Sequence, residues 1–174
     1  MLLSIHSAFV PTALQMIGTT RSLVDAAEQW CADQGKDQAE VIGARLAKDM
    51  LPFTYQVASV GSHTAGAIAG VRAGVFSPDL STPPSNFDGL RAKLDKARGV
   101  LETLSADEMD GWIGQDMRFE FKELRLNFTA ENFLLSFSQP NYFFHATTAY
   151  DILRMLGVSI GKKDFMGAMR IKAG

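Results

Sequence analysis

The feature that most constrains this chain is where its charges are missing. No charged residue precedes Arg21, none occurs from Met50 to Val71, and none from Asn132 to Tyr150. Runs of that length reach the size of a membrane span. Yet the second holds Pro52, Gln56, Ser62, His63 and Thr64, and the third holds Ser136, Gln139, Pro140, Asn141 and His145. Such segments are too polar for lipid and suit helices buried among other helices. The first run starts Met1-Leu2-Leu3-Ser4-Ile5-His6 without the basic residues that open a secretory signal, so no leader and a cytoplasmic location are expected. Three uncharged segments between charged ones predict inward elements of one bundle.

A chain of 174 residues, 47% hydrophobic and 21% charged, is expected to form a single domain over residues 1–174. Seventeen basic against nineteen acidic residues give a net charge of −2, so neither nucleic acid nor a membrane surface is an expected partner. Cys31 is the one cysteine, which excludes an internal disulfide and any zinc site of clustered thiolates.

Residues 4–34 carry a helical stripe of Val10, Leu14, Ile17, Val24 and Cys31, with Pro11 inside and Gly35 as the stop. Residues 37–50 align Ile42, Leu46 and Met50 as a second helical stretch up to Pro52. From Phe53 the helical period resumes to Gly74, and its opposite stripe is Ala58, Ser62, Gly66, Gly70 and Gly74. Glycine costs about 1 kcal/mol in a helix, so this groove is expected to receive a closely packed helix. Residues 75–86, with Pro78, Pro83 and Pro84, read as a surface loop and the one candidate lid. Phe87, Leu90, Leu94, Ala97, Leu101 and Leu104 trace the clearest helix, and Ser105 followed by Glu108 is a capping box. Between residues 117 and 128 the period changes to two, which predicts a short β-ribbon. Thr129 is the expected cap of the next helix; Ser138-Gln139-Pro140 is expected to interrupt it before a last helix from Asn141 to the Gly157 stop. The tail from Ser159 is expected to be partly loose. The fold class is therefore all-α: a four-helix bundle with one ribbon.

Chemistry-bearing residues are few. There is no glycine-rich phosphate loop, no His-Glu-x-x-His and no Gly-x-Ser-x-Gly. His6, His63 and His145 are the three histidines. If the bundle pairs their helices, His63 and His145 meet in the core. Asn141, His145 and Thr148 share one helix face, the candidate ligand pocket; the plainer reading makes His145 a hydrogen-bonded core residue. Asp151 lies on a neighbouring stripe, Cys31 reads as a small hydrophobe, and Lys162 with Lys163 as a solubilising pair.

The run Pro140-Asn141-Tyr142-Phe143-Phe144-His145-Ala146-Thr147-Thr148-Ala149-Tyr150-Asp151-Ile152-Leu153-Arg154 resembles a bacterial family of unknown function grouped with the DinB-like four-helix bundles. Gly157-Val158, Gly161-Lys162-Lys163-Asp164-Phe165, Asp49-Met50-Leu51-Pro52-Phe53 and Phe87 to Leu101 extend the likeness over most of the chain. The resemblance implies dimers, thiol-dependent transferases among the relatives, and a divalent metal (zinc, nickel or iron) on three histidines. Of these, one would come from the second helix and two, spaced by four, from the last. His63 and His145 would be the metal ligands here. Four residues from His145 stand Asn141 and Ala149, neither of which replaces an imidazole.

Three functional readings follow. The leading one is a small ligand bound in a bundle pocket near His145. The second is a metal-dependent enzyme, a thiol transferase or hydrolase, on an incomplete histidine site. The third is a non-catalytic homodimer joined through the groove of small residues.

Overall fold

Ser4 opens the first helix, α1 (Ile5–Gln34), its hydroxyl accepting the Ser7 amide at 3.1 Å in a computed structural model that describes residues 4–172. Pro11 lies within α1, and Gly35 ends it in the left-handed conformation at φ 62°. The stretch 37–50 departs from the expected helix. Only α2 (Gln38–Ile42) forms, and the chain then turns, with the Phe53 amide donating to the Ala44 carbonyl at 2.8 Å. Leu46 stays 39% exposed, so the alignment of Ile42, Leu46 and Met50 never becomes a buried face.

The next helix has an extra residue in its middle. It runs as α3 (Phe53–Gly61), a π-helical segment Ser62–Gly66, and α4 (Ala67–Ala73), to a left-handed Gly74. The segment expected as plain loop contributes β1 (Val75–Phe76) before α5 (Phe87–Glu102), which Asn86 caps. Ser105 caps the short α6 (Ala106–Asp110) by accepting the Glu108 amide at 3.1 Å, as the capping-box pattern predicts. The expected ribbon is β2 (Asp116–Phe121) and β3 (Leu124–Thr129), antiparallel with Arg118 opposite Asn127. Lys122 takes φ 53° in the tight turn between them. β1 pairs in parallel with β2, making three strands in the order β1-β2-β3.

Thr129 stands at the start of α7 (Ala130–Asn132), but its side chain makes no capping bond. Nor does the chain break at Ser138-Gln139-Pro140. A second π-helical segment, Phe133–Ser138, runs directly into α8 (Gln139–Leu156). Pro140, which has no amide hydrogen to give, is taken up directly after that irregular turn. Gly157 stops α8 at φ 93°, and a short α9 (Lys162–Met166) follows. The tail beyond is tied across α1: the Gln15 amide donates to the Met166 carbonyl at 2.6 Å, and Arg170 donates to Thr12 and Gln15.

The bundle consists of α1, α3–α4, α5 and α7–α8. α1 lies against α5 and α8, and α3 touches the same two from the other side. Phe9, Phe53, Leu94, Phe133 and Tyr142 are fully buried where these helices meet. Each such side chain contributes about 1.5–3 kcal/mol by leaving water. The sheet closes one end, with Met117 and Phe119 turned inward. Among the described residues no helix is long and apolar enough to cross a membrane.

Candidate functional site

The two π-helical segments face each other. A π turn forces one more residue into the helix than the α-period accommodates, leaving backbone groups in need of other partners. The carbonyl of His63 finds one in the facing segment, where the buried Ser138 hydroxyl donates to it at 3.0 Å. This contact fixes the turn that carries His63 against the helix that carries His145. Their imidazoles stack with centroids 5.6 Å apart and planes inclined by 18°.

Aromatic rings surround the pair. Tyr55 and Phe144 meet His145 edge-on at 6.1 and 5.3 Å, and Phe76 and Phe137 lie 5.5 and 6.0 Å from His63. Nδ1 of His145 lies 2.7 Å from Oε1 of Gln56, a residue one turn into α3 that is 2% exposed. The Gln56 amide nitrogen donates to the Leu51 carbonyl at 2.8 Å, so the oxygen faces His145 and the imidazole Nδ1 is the donor. Nδ1 of His63 is buried without a partner. Burial pushes both imidazoles from the usual 6.5 down to about 4, and at His63 the neighbouring His145 adds to the effect. At neutral pH the pair is uncharged.

Of the other residues singled out from sequence, Asn141 is half-buried and its amide donates to the Phe137 carbonyl at 2.7 Å. Thr148, two turns along α8 from it, is buried. His6 lies elsewhere, its Nε2 3.2 Å from the Leu104 carbonyl at the end of α5. Cys31 is buried, and burial pushes its thiol up, as for a small apolar residue. Sequence reasoning left out Gln56, Ser138 and Phe76 as site residues. Gln56 had a readable signal: it sits between Phe53, Val57 and Val60 on a buried helix, and a buried amide needs partners.

The stripe of small residues has two fates. At Gly70 a Cβ would come within 2.8 Å of the Phe76 Cβ, so β1 fills the groove there instead of a helix. Around Gly66 the nearest atom to such a Cβ is 3.8 Å away, and a cleft of about 840 Å³ opens between α3–α4 and α5. Lys93 and Lys96 stand on its wall, with Asp79 of the 75–86 segment 2.9 Å from Lys93. Hydrogen bonds from Ser81 and Lys93 hold the Asp79 carboxyl down at about 2. His145, Asn141 and Thr148 do not line this cleft.

The three-histidine metal centre is not matched by the residues present. His145 has Nδ1 committed to Gln56, Asn141 has its amide nitrogen committed to Phe137, and Ala149 is buried with nothing to offer. Two imidazole rings remain, each able to give a metal one nitrogen, and among the described residues no three His, Cys, Asp or Glu side chains gather where a metal ion could sit. The donor set is one ligand short of the group.

The fold is similar to that of a solved structure, a DinB family member protein from Shewanella denitrificans at 1.83 Å resolution. The two share 25% identity and a TM-score of 0.80 over 97% of this chain and 95% of that one. No curated protein matches the chain. The family model described as Domain of unknown function (DUF1993) matches residues 5–166, and with its bundle and its ribbon the chain belongs to that DinB-like family.

Proposed function

We propose that this protein binds a small molecule at the His63–His145 pair. The observation that carries the reading is the pair itself: two half-buried, uncharged imidazoles, one oriented by Gln56, inside a ring of aromatic side chains. Buried polar groups aimed at one place within apolar walls are the usual make-up of a ligand site. Asn141 and Thr148 belong to the same helix as His145, one turn before it and one turn after. The chain acts as one domain, and a cytoplasmic location fits its single buried thiol.

The test is a thermal-shift screen run on the wild type beside a His63→Ala/His145→Ala double variant. Compounds that raise the wild-type midpoint and leave the double variant unmoved support the site. A set of hits shared equally by both proteins refutes it.

The metal-dependent enzyme is the second reading, favoured by the unpartnered Nδ1 of His63 beside a second imidazole. It needs a third ligand from a substrate or from water. Near-stoichiometric zinc, nickel or iron in protein purified without chelator, lost in the double variant, would establish it. The homodimer reading is favoured by the cleft beside Gly66, which a second copy would cover. Gly66→Leu then shifts the size-exclusion mass from dimer to monomer, whereas a monomer is unaffected.

A further inference from the structure

We propose that the cleft between α3–α4 and α5 binds an organic acid, with its carboxylate at Lys96 and its apolar body against the small residues beside Gly66. This site is separate from the histidine pair, since neither His63 nor His145 lines the cleft.

The cleft holds about 840 Å³, within the range of small-molecule sites. Small residues of the first π segment and α4 line one side, α5 lines another, and the 75–86 segment contributes a third through Val75 and Asp79. Two contacts hold that third side in place. Lys93 of α5 pairs with Asp79 at 2.9 Å, and the Thr54 hydroxyl of α3 donates to the Pro84 carbonyl. The opening is thus built before a ligand arrives. Gly70 owes its lack of a side chain to Phe76, but Gly66 does not: a Cβ there would meet no atom closer than 3.8 Å. A helical glycine costs about 1 kcal/mol against alanine. Nothing inside the fold offsets that cost at Gly66, and the space it leaves belongs to the cleft.

Charge selects the occupant. Lys93 and Asp79 satisfy each other, whereas Lys96, one turn further along α5, pairs with no carboxylate among the described residues. The cleft therefore presents one uncommitted ammonium beside an apolar surface, and a carboxylate is drawn to it as to a point charge. An amine is repelled by Lys96 and finds Asp79 already taken. A neutral alcohol gains no charge-assisted hydrogen bond. A second copy laid over the cleft would cover an unpaired ammonium, which costs free energy unless it brings its own carboxylate. From Gly61 to Gly70 the lining runs about 12 Å along the helix, room for an unbranched chain of about eight carbons.

The experiment titrates ¹⁵N-labelled full-length protein with octanoate, 1-octanol and octylamine in separate series at pH 7, read by amide NMR, with size exclusion alongside. Octanoate is expected to shift residues 92–100 of α5 together with 61–70, saturably, and to bind about fivefold tighter than the alcohol or the amine. Lys96→Gln is expected to erase that advantage. Gly66→Leu puts a side chain into the cleft and is expected to weaken octanoate about tenfold. Lys96 is exposed, so its variant keeps the fold and carries the test where Gly66→Leu does not. Equal binding of the three probes, or octanoate binding that Lys96→Gln leaves unchanged, overturns the proposal. Shifts confined to residues 141–148 and the His63 ring also overturn it and assign the acid to the histidine pair. A wild type that ignores octanoate overturns it as well, and a dimer that Gly66→Leu dissociates then gives the cleft to a second copy.

Discussion

The stability of this fold is expected to fall steeply between pH 6 and pH 5, because of His63 and His145. In the folded protein both titrate near 4, whereas in the unfolded chain they titrate near 6.5. Between those values the unfolded chain holds protons that the folded one refuses, so acid favours unfolding. The contribution is complete above 6.5 and is lost as the pH drops toward 4. Each ring changes the unfolding free energy by at most about 1.4 kcal/mol per pH unit. Both rings keep some contact with water, which trims the pair's effect to about 2 kcal/mol between pH 6 and pH 5. Asp79 acts in a separate window: its folded carboxyl titrates near 2 against an ordinary 3.8, so its contribution is lost only as the pH falls below about 4. Urea unfolding at constant ionic strength, at pH 7, 6 and 5, measures the slope. In a His63→Gln/His145→Gln variant the loss over the last unit is expected to shrink below about 0.5 kcal/mol. A wild type flat over this range, or a variant as steep as the wild type, refutes the reasoning.

Glycine substitutions should divide by position. Gly70→Ala puts a methyl 2.8 Å from the Phe76 Cβ and should cost about 1–3 kcal/mol, while Gly99→Ala, with nothing within 4 Å, should gain up to about 1 kcal/mol; denaturant midpoints decide. Ser138→Ala removes the donor to the His63 carbonyl, and about 1–3 kcal/mol of stability should go with it, together with a changed His63 ring signal in NMR. Arg91, 16% exposed and paired with Asp25, Glu28 and Asp88, joins α1 to the start of α5. Arg91→Ala should cost about 1 kcal/mol at low salt and markedly less in 1 M salt, read from the same unfolding curves.

Periodicity alone located most of the bundle. Gly35, Gly74 and Gly157, each in the left-handed region, end helices where a reader of the chain would end them. The alternation from Met117 to Phe128 gave away the β-ribbon, although only β2 turns its apolar face, Met117 and Phe119, into the core, while Leu124 and Leu126 of β3 stay exposed. The stretch 37–50 misled, since three apolar residues at helical spacing say nothing about whether a partner surface lies opposite. Leu46 has none and stays exposed. β1 was invisible because two residues carry no period, and its pairing with β2 is a long-range event. The site was half legible. His63 and His145 stood out as scarce residue types inside uncharged helices, and the fold does bring them together. Gln56 carried a signal that went unread, a polar amide among buried apolar residues of α3, whereas Ser138 did not stand out because its role depends on helix phase. Each π segment alters that phase, so α-helical spacing counted across Ser62–Gly66 or Phe133–Ser138 places side chains on the wrong side.

The same two segments bear on how the family can change in length. Removing one residue from Ser62–Gly66 would restore an ordinary α-turn and rotate everything after it by about 100°. Gly70 would swing away from Phe76, and the His63 carbonyl would no longer meet Ser138. A relative with a one-residue deletion at this point must therefore rebuild the opposite helix as well, or lose the histidine pair. Single-residue gaps at the two segments should be inherited together.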